Sequence, residues 1–492
     1  MSMNFSFEAR RAGAARGERP AAADPFRLLV IGDFSGRGSR GVVESLNGRR
    51  AHKVDLDRID SLPKELGTMA IAGGVEVDVL EMDDLHADEL YRKHDLFARL
   101  RSLRKRLRDN TTFEAAAEEV RSWAASPPSP SSQVESKPDP SHPPPGSDFE
   151  ALLGGSPGAS VSKAALTVDQ IIREAIGPHI VPATDPQQSE YVSLVDRAIA
   201  DRMRTILHDP AWQGVESAWR GLDLLVRRIE LDESLTLHLM DASAAEIAKD
   251  VTEGNGEGIG GMLTDPGRRG GAGWALVVVL ANFGPSVADA GVARSLAALA
   301  AEAGVPIFAG ASGPLYAGEH VRDHTDAAKW PASLGESGGA DARAAWADFA
   351  ASPEAASIGL FAPRFLLRLP YGSSTEPVDG FDFEELDAES PDHSGYLWGN
   401  PGLLGALLLA EGFTAAGWSL APAGSGEVDD LAVHALADGG MKPCGEAWLS
   451  EKSAEALMAR NLCPVVSIQN RGAVQVHAIK SLAGTQVATR WA

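Results

Sequence analysis

The chain of 492 residues has only two cysteines, Cys444 and Cys463. Two thiols cannot build a disulfide framework, so the expectation is a cytoplasmic protein with reduced thiols. No apolar run approaches the roughly 18 residues that a membrane-spanning helix needs. The longest dense stretches, Trp274 to Leu280 and Leu403 to Ala410, are far shorter. The opening MSMNFSFEARRAGAARGERP has no apolar core of a secretory signal. A basic surplus is missing too: 45 basic against 68 acidic residues leave a net charge of −23. That disfavours nucleic acid and anionic membrane surfaces, whose binding rests on Lys and Arg. There is no G-x-x-x-x-G-K-[ST], H-E-x-x-H or C-x-x-C, and no cluster with metal-ligand spacing. The expectation is therefore no cofactor and no metal.

What remains is globular. The chain is 44% hydrophobic and 23% charged, well away from disordered composition. Its length suggests about three domains. Residues 126–147, SPPSPSSQVESKPDPSHPPPGS, contain eight prolines and seven serines. Such a stretch cannot bury apolar surface and reads as a disordered linker, able to span roughly 70 Å as polyproline II. The charge changes across it. Residues 1–125 hold 21 basic and 21 acidic side chains, so the whole surplus lies beyond. An asymmetry of this kind can draw the two parts, or neighbouring copies, together.

Both sides of the linker read as α/β. Phe26 to Ile31 (FRLLVI), ended by Gly32-Asp33, is a short buried strand. Val75, Val77 and Val79 alternate with acidic residues as a half-buried strand does. Leu96, Leu100, Leu103 and Leu107 form a single apolar stripe on a helix otherwise covered by basic residues between Arg99 and Arg108. That basic run suits a solvated face, or one docking an acidic protein surface. Phe113 to Trp123 continues as a second helix. Beyond the linker, Val192 to Arg228 is helical with a break at Asp209-Pro210, and Trp212 and Trp219 share one face as core aromatics. Leu235 to Leu239 is a strand and Ala244 to Val251 a helix. A Gly-rich connection, Gly254 to Gly273, leads to a strand at Trp274 to Leu280, a helix at Val292 to Ala303 and a strand at Ile307 to Ala309. This alternation predicts a mainly parallel sheet. Arg364, and Arg368 to Tyr371, read as a strand with basic residues at an edge. Arg220, beside Trp219, is expected to anchor a carboxylate.

Two formal motifs suggest enzymes. Gly36-Arg37-Gly38-Ser39-Arg40-Gly41 follows a strand as a dinucleotide fingerprint would, with Asp55 or Asp57 near the ribose-acid spacing. However, its first glycine comes five residues past the strand end, and a surface loop is the better reading. Gly335-Glu336-Ser337-Gly338-Gly339 is a G-x-S-x-G without a buried strand before it, so a serine hydrolase is the weaker reading.

Several stretches together resemble the contractile sheath of the bacterial type VI secretion system. Residues 4–124 are similar to its small subunit (TssB/VipA) through the strand-like Asn4 to Glu8, FRLLVIGDFSGR at Phe26 to Arg37, and LFARLRSLRKRLRDN at Leu96 to Asn110. Residues from about 190 to 482 are similar to the large subunit (TssC/VipB). The carrying segments are HDPAWQGVESAWRGLDLLV from His208, PRFLLRLPYG from Pro363, GFDFEE from Gly380, HSGYLWGN from His393 and GVPIFAGAS from Gly304. The segments MKPCGEAWLS and LCPVVSIQNRGAV also fit.

The resemblance implies an α/β, contractile-tail-sheath-like fold divided at 1–125, 126–147 and 148–492. It implies a non-enzymatic structural role, in which copies exchange strands around an Hcp-like inner tube and meet other sheath subunits and a baseplate. A ClpV-like AAA+ ATPase would recycle the assembly. For assembly it points to Phe5, Phe7, the four leucines of the stripe, and Phe149, Leu152 and Leu153 just past the linker. For the core it points to Trp212, Trp219, Arg220, Arg364, Arg368, Tyr371 and Trp398. The sequence departs from the family in four places. The two subunits are fused, and the likeness ends near Leu482, where the large subunit normally continues. Ser352 to Ala356 replaces a charged loop, and Asn282 stands where the family carries Asp. Two structural roles follow: a sheath protomer, or a non-polymerising accessory or capping protein.

Overall fold

The computed structural model describes residues 20–125, 188–254, 256–387, 392–421, 424–436 and 439–491. Phe5, Phe7, Phe149, Leu152, Leu153 and the linker 126–147 lie outside the described residues.

One nine-stranded sheet organises the chain. Its strands are β1 (Phe26–Gly32), β2 (His52–Val54), β3 (Leu235–Asp241), β4 (Leu276–Phe283), β5 (Ile307–Ala311), β6 (Ile358–Ala362), β7 (Gly426–Val428), β8 (Cys463–Ser467) and β9 (Val474–Val476). Their spatial order is β7-β9-β8-β6-β5-β4-β1-β3-β2. The six from β8 to β3 run parallel, while β2 and the β9-β7 pair add antiparallel at the two ends. Among the described residues, helices of nine residues or more are α1 (Asp95–Arg108), α2 (Phe113–Ala125), α3 (Gln188–Leu207), α4 (Pro210–Arg228), α5 (Ala244–Thr252), α6 (Val287–Ala303), α7 (Ala340–Ala350), α8 (Gly402–Ala416) and α9 (Glu451–Ala459).

The position of β1 has the largest consequence. It comes from before the linker, yet it pairs with β3 on one side and β4 on the other, both from beyond it. The parts flanking the linker therefore share one sheet. Because successive side chains of a strand point to opposite faces, Phe26, Leu28 and Val30 enter one apolar layer and Leu29 and Ile31 the other. The first layer contains α1, α3, α4 and α8; the second contains α5, α6, α7 and α9. A strand buried on both faces reads as a continuous apolar run, which explains FRLLVI.

The leucine stripe of α1 is likewise covered from beyond the linker. Leu96, Leu100 and Leu107 are fully buried and Leu103 nearly so, in the layer that also holds Val195, Ile199 and Met203 of α3. As a surface for other copies the stripe is not available, because α3 of the same chain covers it. Arg104 of α1 adds an ion pair to Asp196 of α3 at 2.5 Å.

Local chemistry sets the helix ends. Asp209 caps α4: one carboxylate oxygen accepts from Ala211 N and the other from Gly73 N, in the turn between the hairpin strands Met69–Ala72 and Val75–Asp78. Asp-Pro thus both breaks the helical run and ties it to the segment before the linker. The Gly-rich connection is not wholly irregular, since it holds helices at Glu257–Thr264 and Pro266–Arg269. Asp250 accepts from Gly258 N and Ile259 N, and Asp265 from Gly267 N, so carboxylates supply what the glycines lack. At α8, Asn400 accepts from Gly402 N and donates to Ala281 O of β4. Asn400→Ala loses both buried bonds and should cost about 1–2 kcal/mol. A urea titration against the parent checks this, and a change under about 0.5 kcal/mol would contradict it.

Candidate functional site

The segment after β6 carries the charges. Phe365–Leu366 forms a two-residue ladder with Trp398–Gly399, after which the chain turns inward. Arg368, expected at a strand edge, is instead 6% exposed and lies in a bend. The reason is its partners. Its Nε donates to Glu216 Oε1 at 2.7 Å, and its Nη1 and Nη2 donate to Glu385 at 2.7 and 3.0 Å. Both carboxylates are buried. One guanidinium between two carboxylates leaves a negative charge, which Arg220 balances by donating to Glu216 Oε1 at 2.7 Å. Arg220 also donates to the Tyr371 hydroxyl at 3.1 Å. The Arg368 guanidinium lies 4.4 Å from the centre of the Tyr371 ring, and Tyr371 N donates to Glu385. The hydroxyl of Tyr371 reaches Leu85 O, before the linker, at 3.4 Å. Burial would raise Glu385, but the Arg368 charge and the bonds around it hold it down to about 2. Burial pushes Tyr371 up to about 12. The network is an ionised, closed lock.

A second cluster lies nearby. Arg364 makes a two-pronged contact with Glu446, at 2.6 and 3.2 Å. Burial opposes ionisation of Glu446, yet Arg364 and His393 keep it well below the usual carboxylate range. The His393 ring stacks on Trp398 at 4.7 Å, and Trp398 Nε1 donates to His393 O.

Trp212 and Trp219 are fully buried on α4. Trp219 Nε1 donates to Phe34 O at 2.8 Å, and its ring meets Phe34 edge-on at 5.2 Å. Asn282 lies against Gly310 of β5, where a Cβ would come within 1.9 Å of Asn282 Oδ1.

The Gly36–Gly41 loop lies at the carboxyl ends of β1 and β3, where open α/β sheets bind ligands. Several of its donors, and those just before it, are already engaged. Asp33 accepts from Arg37 N and Gly38 N, both at 2.7 Å, and Asp241 accepts from Phe34 N, Ser35 N and Ser35 Oγ. Gly36 has φ +73°, and a Cβ there would lie 2.2 Å from Met69 O. Its glycine thus serves a tight approach to the hairpin. Buried Glu246 accepts from Arg37 and Arg49. Burial, with Asp241 and Glu246 nearby, pushes Asp33 up to about 6. Ser337 sits in a short 3-10 turn (Glu336–Gly338) with no strand directly before it, and its hydroxyl donates to Pro314 O.

Sequence reasoning named the arginines but not their partners. Glu216 was legible, one helical turn before Arg220. Glu385 lies in GFDFEE and Glu446 in MKPCGEAWLS, but nothing in either segment marks it as the partner of an arginine. Among the described residues no group of three or more His, Cys, Asp or Glu could hold a metal ion, and no helix is long and apolar enough to cross a membrane.

Sheet and networks together define an α/β module held by buried ion pairs. The chain belongs to the VipB (EvpB/VC_A0108) tail-sheath family, whose N-terminal domain matches residues 189–483, more than half of its length. It is also similar to the type VI secretion system sheath protein TssC1 of Pseudomonas aeruginosa, with 28% identity over 352 residues, 66% of this chain and 68% of that protein.

Proposed function

We propose that this chain is a structural sheath component of a type VI-like contractile injection apparatus, and that it carries out no turnover. The observation that carries the reading is the tail-sheath match across residues 189–483. In this reading residues 1–125 stand for the small subunit, 126–147 are the linker, and 148–492 stand for the large subunit. Fusion then fixes their ratio at one to one.

Copies link by strand exchange. The sheet ends in two edge strands, β2 and β7, and an unpaired sheet edge accepts an added strand through backbone hydrogen bonds. A contact between unlike surfaces does not close, so it propagates as a helical tube. The inner tube is Hcp-like, and other sheath subunits, a baseplate and a ClpV-like ATPase are the further partners, all in the cytoplasm. The absence of turnover is supported by the Gly36–Gly41 loop, where the amides of Arg37 and Gly38 serve Asp33.

The test is negative-stain electron microscopy of the full-length protein, alone and with an inner-tube protein. Striated tubes or rings are expected. Discrete particles under both conditions would overturn the polymerising role in favour of an accessory or capping one.

A further inference from the structure

The cluster around His393 holds an arrangement that the sheath role does not use. Lys442 Nζ lies 3.1 Å from His393 Nδ1, and His393 Nε2 lies 3.3 Å from Glu446 Oε1. An ammonium can only donate, so Nδ1 accepts and Nε2 carries the ring proton toward Glu446. Arg364 fixes Glu446 from the other side, and stacking on Trp398 fixes the imidazole. This is a nucleophile, a base and an orienting carboxylate in hydrogen-bonded series, the pattern by which activated nucleophiles are recognised. His393 is 6% exposed and Glu446 4%, while Lys442, in the hairpin His434–Ala435/Met441–Lys442, is half-buried and the most exposed of the three.

We propose that Lys442 is an acyl-acceptor site, modified once per chain by small activated acyl compounds with His393 as the base. Burial holds the Lys442 amine below the ordinary lysine range, helped by Arg322 and opposed by Glu446 and Asp323. Burial likewise keeps His393 low, and hence neutral and able to accept a proton. In the reaction with an acyl phosphate, the neutral amine attacks the carbonyl carbon and an N–C bond forms. The C–O bond to phosphate breaks, its electron pair leaving with inorganic phosphate. The surplus amine proton passes to His393 Nδ1 and then to water. The product amide is neutral, and Glu446 keeps Arg364 as its partner.

The chain contains its own comparator. Lys480 is also half-buried and also lowered by burial, but its ammonium donates to Met458 O and Asn461, and no histidine among the described residues bonds to it. Full-length protein is incubated with acetyl phosphate, and acetylation at each lysine is followed by peptide mass spectrometry. Lys442 should be labelled at least about tenfold faster than Lys480 and than exposed Lys452. His393→Gln, with secondary structure checked by circular dichroism, should remove that preference, and Lys442→Arg should abolish the labelled peptide. Equal rates at Lys442 and Lys480 would overturn the proposal without need of any variant. So would a preference that survives His393→Gln.

Discussion

Arg368→Met should destabilise the protein by about 3–5 kcal/mol, seen as a large fall in the urea midpoint. The size comes from what is left behind. Methionine fills most of the volume but leaves Glu216 and Glu385 buried, with only Arg220 still donating to Glu216. An uncompensated buried carboxylate costs more than the pair contributed. Two checks separate this from lost packing. Adding Glu385→Gln to Arg368→Met should recover part of the loss, because the stranded charge is gone. Low pH gives the second. Glu385 sits near 2 in the folded chain, below its ordinary value of 4.5. A carboxyl lowered on folding adds stability above its unfolded pKa and loses it as pH falls through the folded one. The parent should therefore lose stability between about pH 4.5 and 2, with Glu446 adding to the slope, and Arg368→Met should show a shallower fall. A single-variant cost under about 1 kcal/mol would mean that the network contributes little.

The same network shows how far the sequence could be read. Periodicity exposed the elements with one dominant environment: β1, buried on both faces; α1, with its leucine stripe; and α4, with two tryptophans seven residues apart. It failed where a charge reverses the expectation. From its neighbours Phe365 to Leu367 and Leu369, Arg368 reads as a basic residue at a strand edge, and only the family resemblance put it in the core. Its burial depends on Glu385, 17 residues on, and Glu216, 152 residues back. No local pattern encodes such a meeting. The Gly254–Gly273 stretch failed for a related reason, since Asp250 and Asp265 start short helices that glycine content alone argues against. The glycine motif at Gly36 was legible as a loop from its distance to the strand, whereas the role of Asp33 in satisfying it needed coordinates. Most of all, a proline-rich linker invites a picture of separate bodies. Nothing in FRLLVI says that its neighbours in the sheet lie some 200 residues away.

That placement of β1 makes Trp219 the second sensitive point. Trp219→Ala should cost about 3–5 kcal/mol, the usual loss for truncating a fully buried large aromatic. Here the cavity opens beneath the exit of β1, because the indole packs edge-on against Phe34 and donates to Phe34 O. Trp219→Phe keeps most of the ring and removes the donor. Phe34 O still accepts from the Thr68 hydroxyl at 3.1 Å, so this variant should cost only about 1–2 kcal/mol. The gap between the two variants measures packing against hydrogen bonding. Hydrogen exchange adds the location. If α4 holds the end of β1 in place, the amides of Phe34 and Ser35, which donate to Asp241, should exchange faster in Trp219→Ala by more than those of β5, which lies two strands from β1. Uniform acceleration would instead mean that Trp219 supports the whole core alike. A local effect would identify the α4–β1 junction as the joint through which the part before the linker is fastened to the part beyond it. Any force that a neighbouring copy applied to the N-terminal segment would then reach the large α/β body through this junction as well as through the α1–α3 contact and the tie of Asp209 to Gly73.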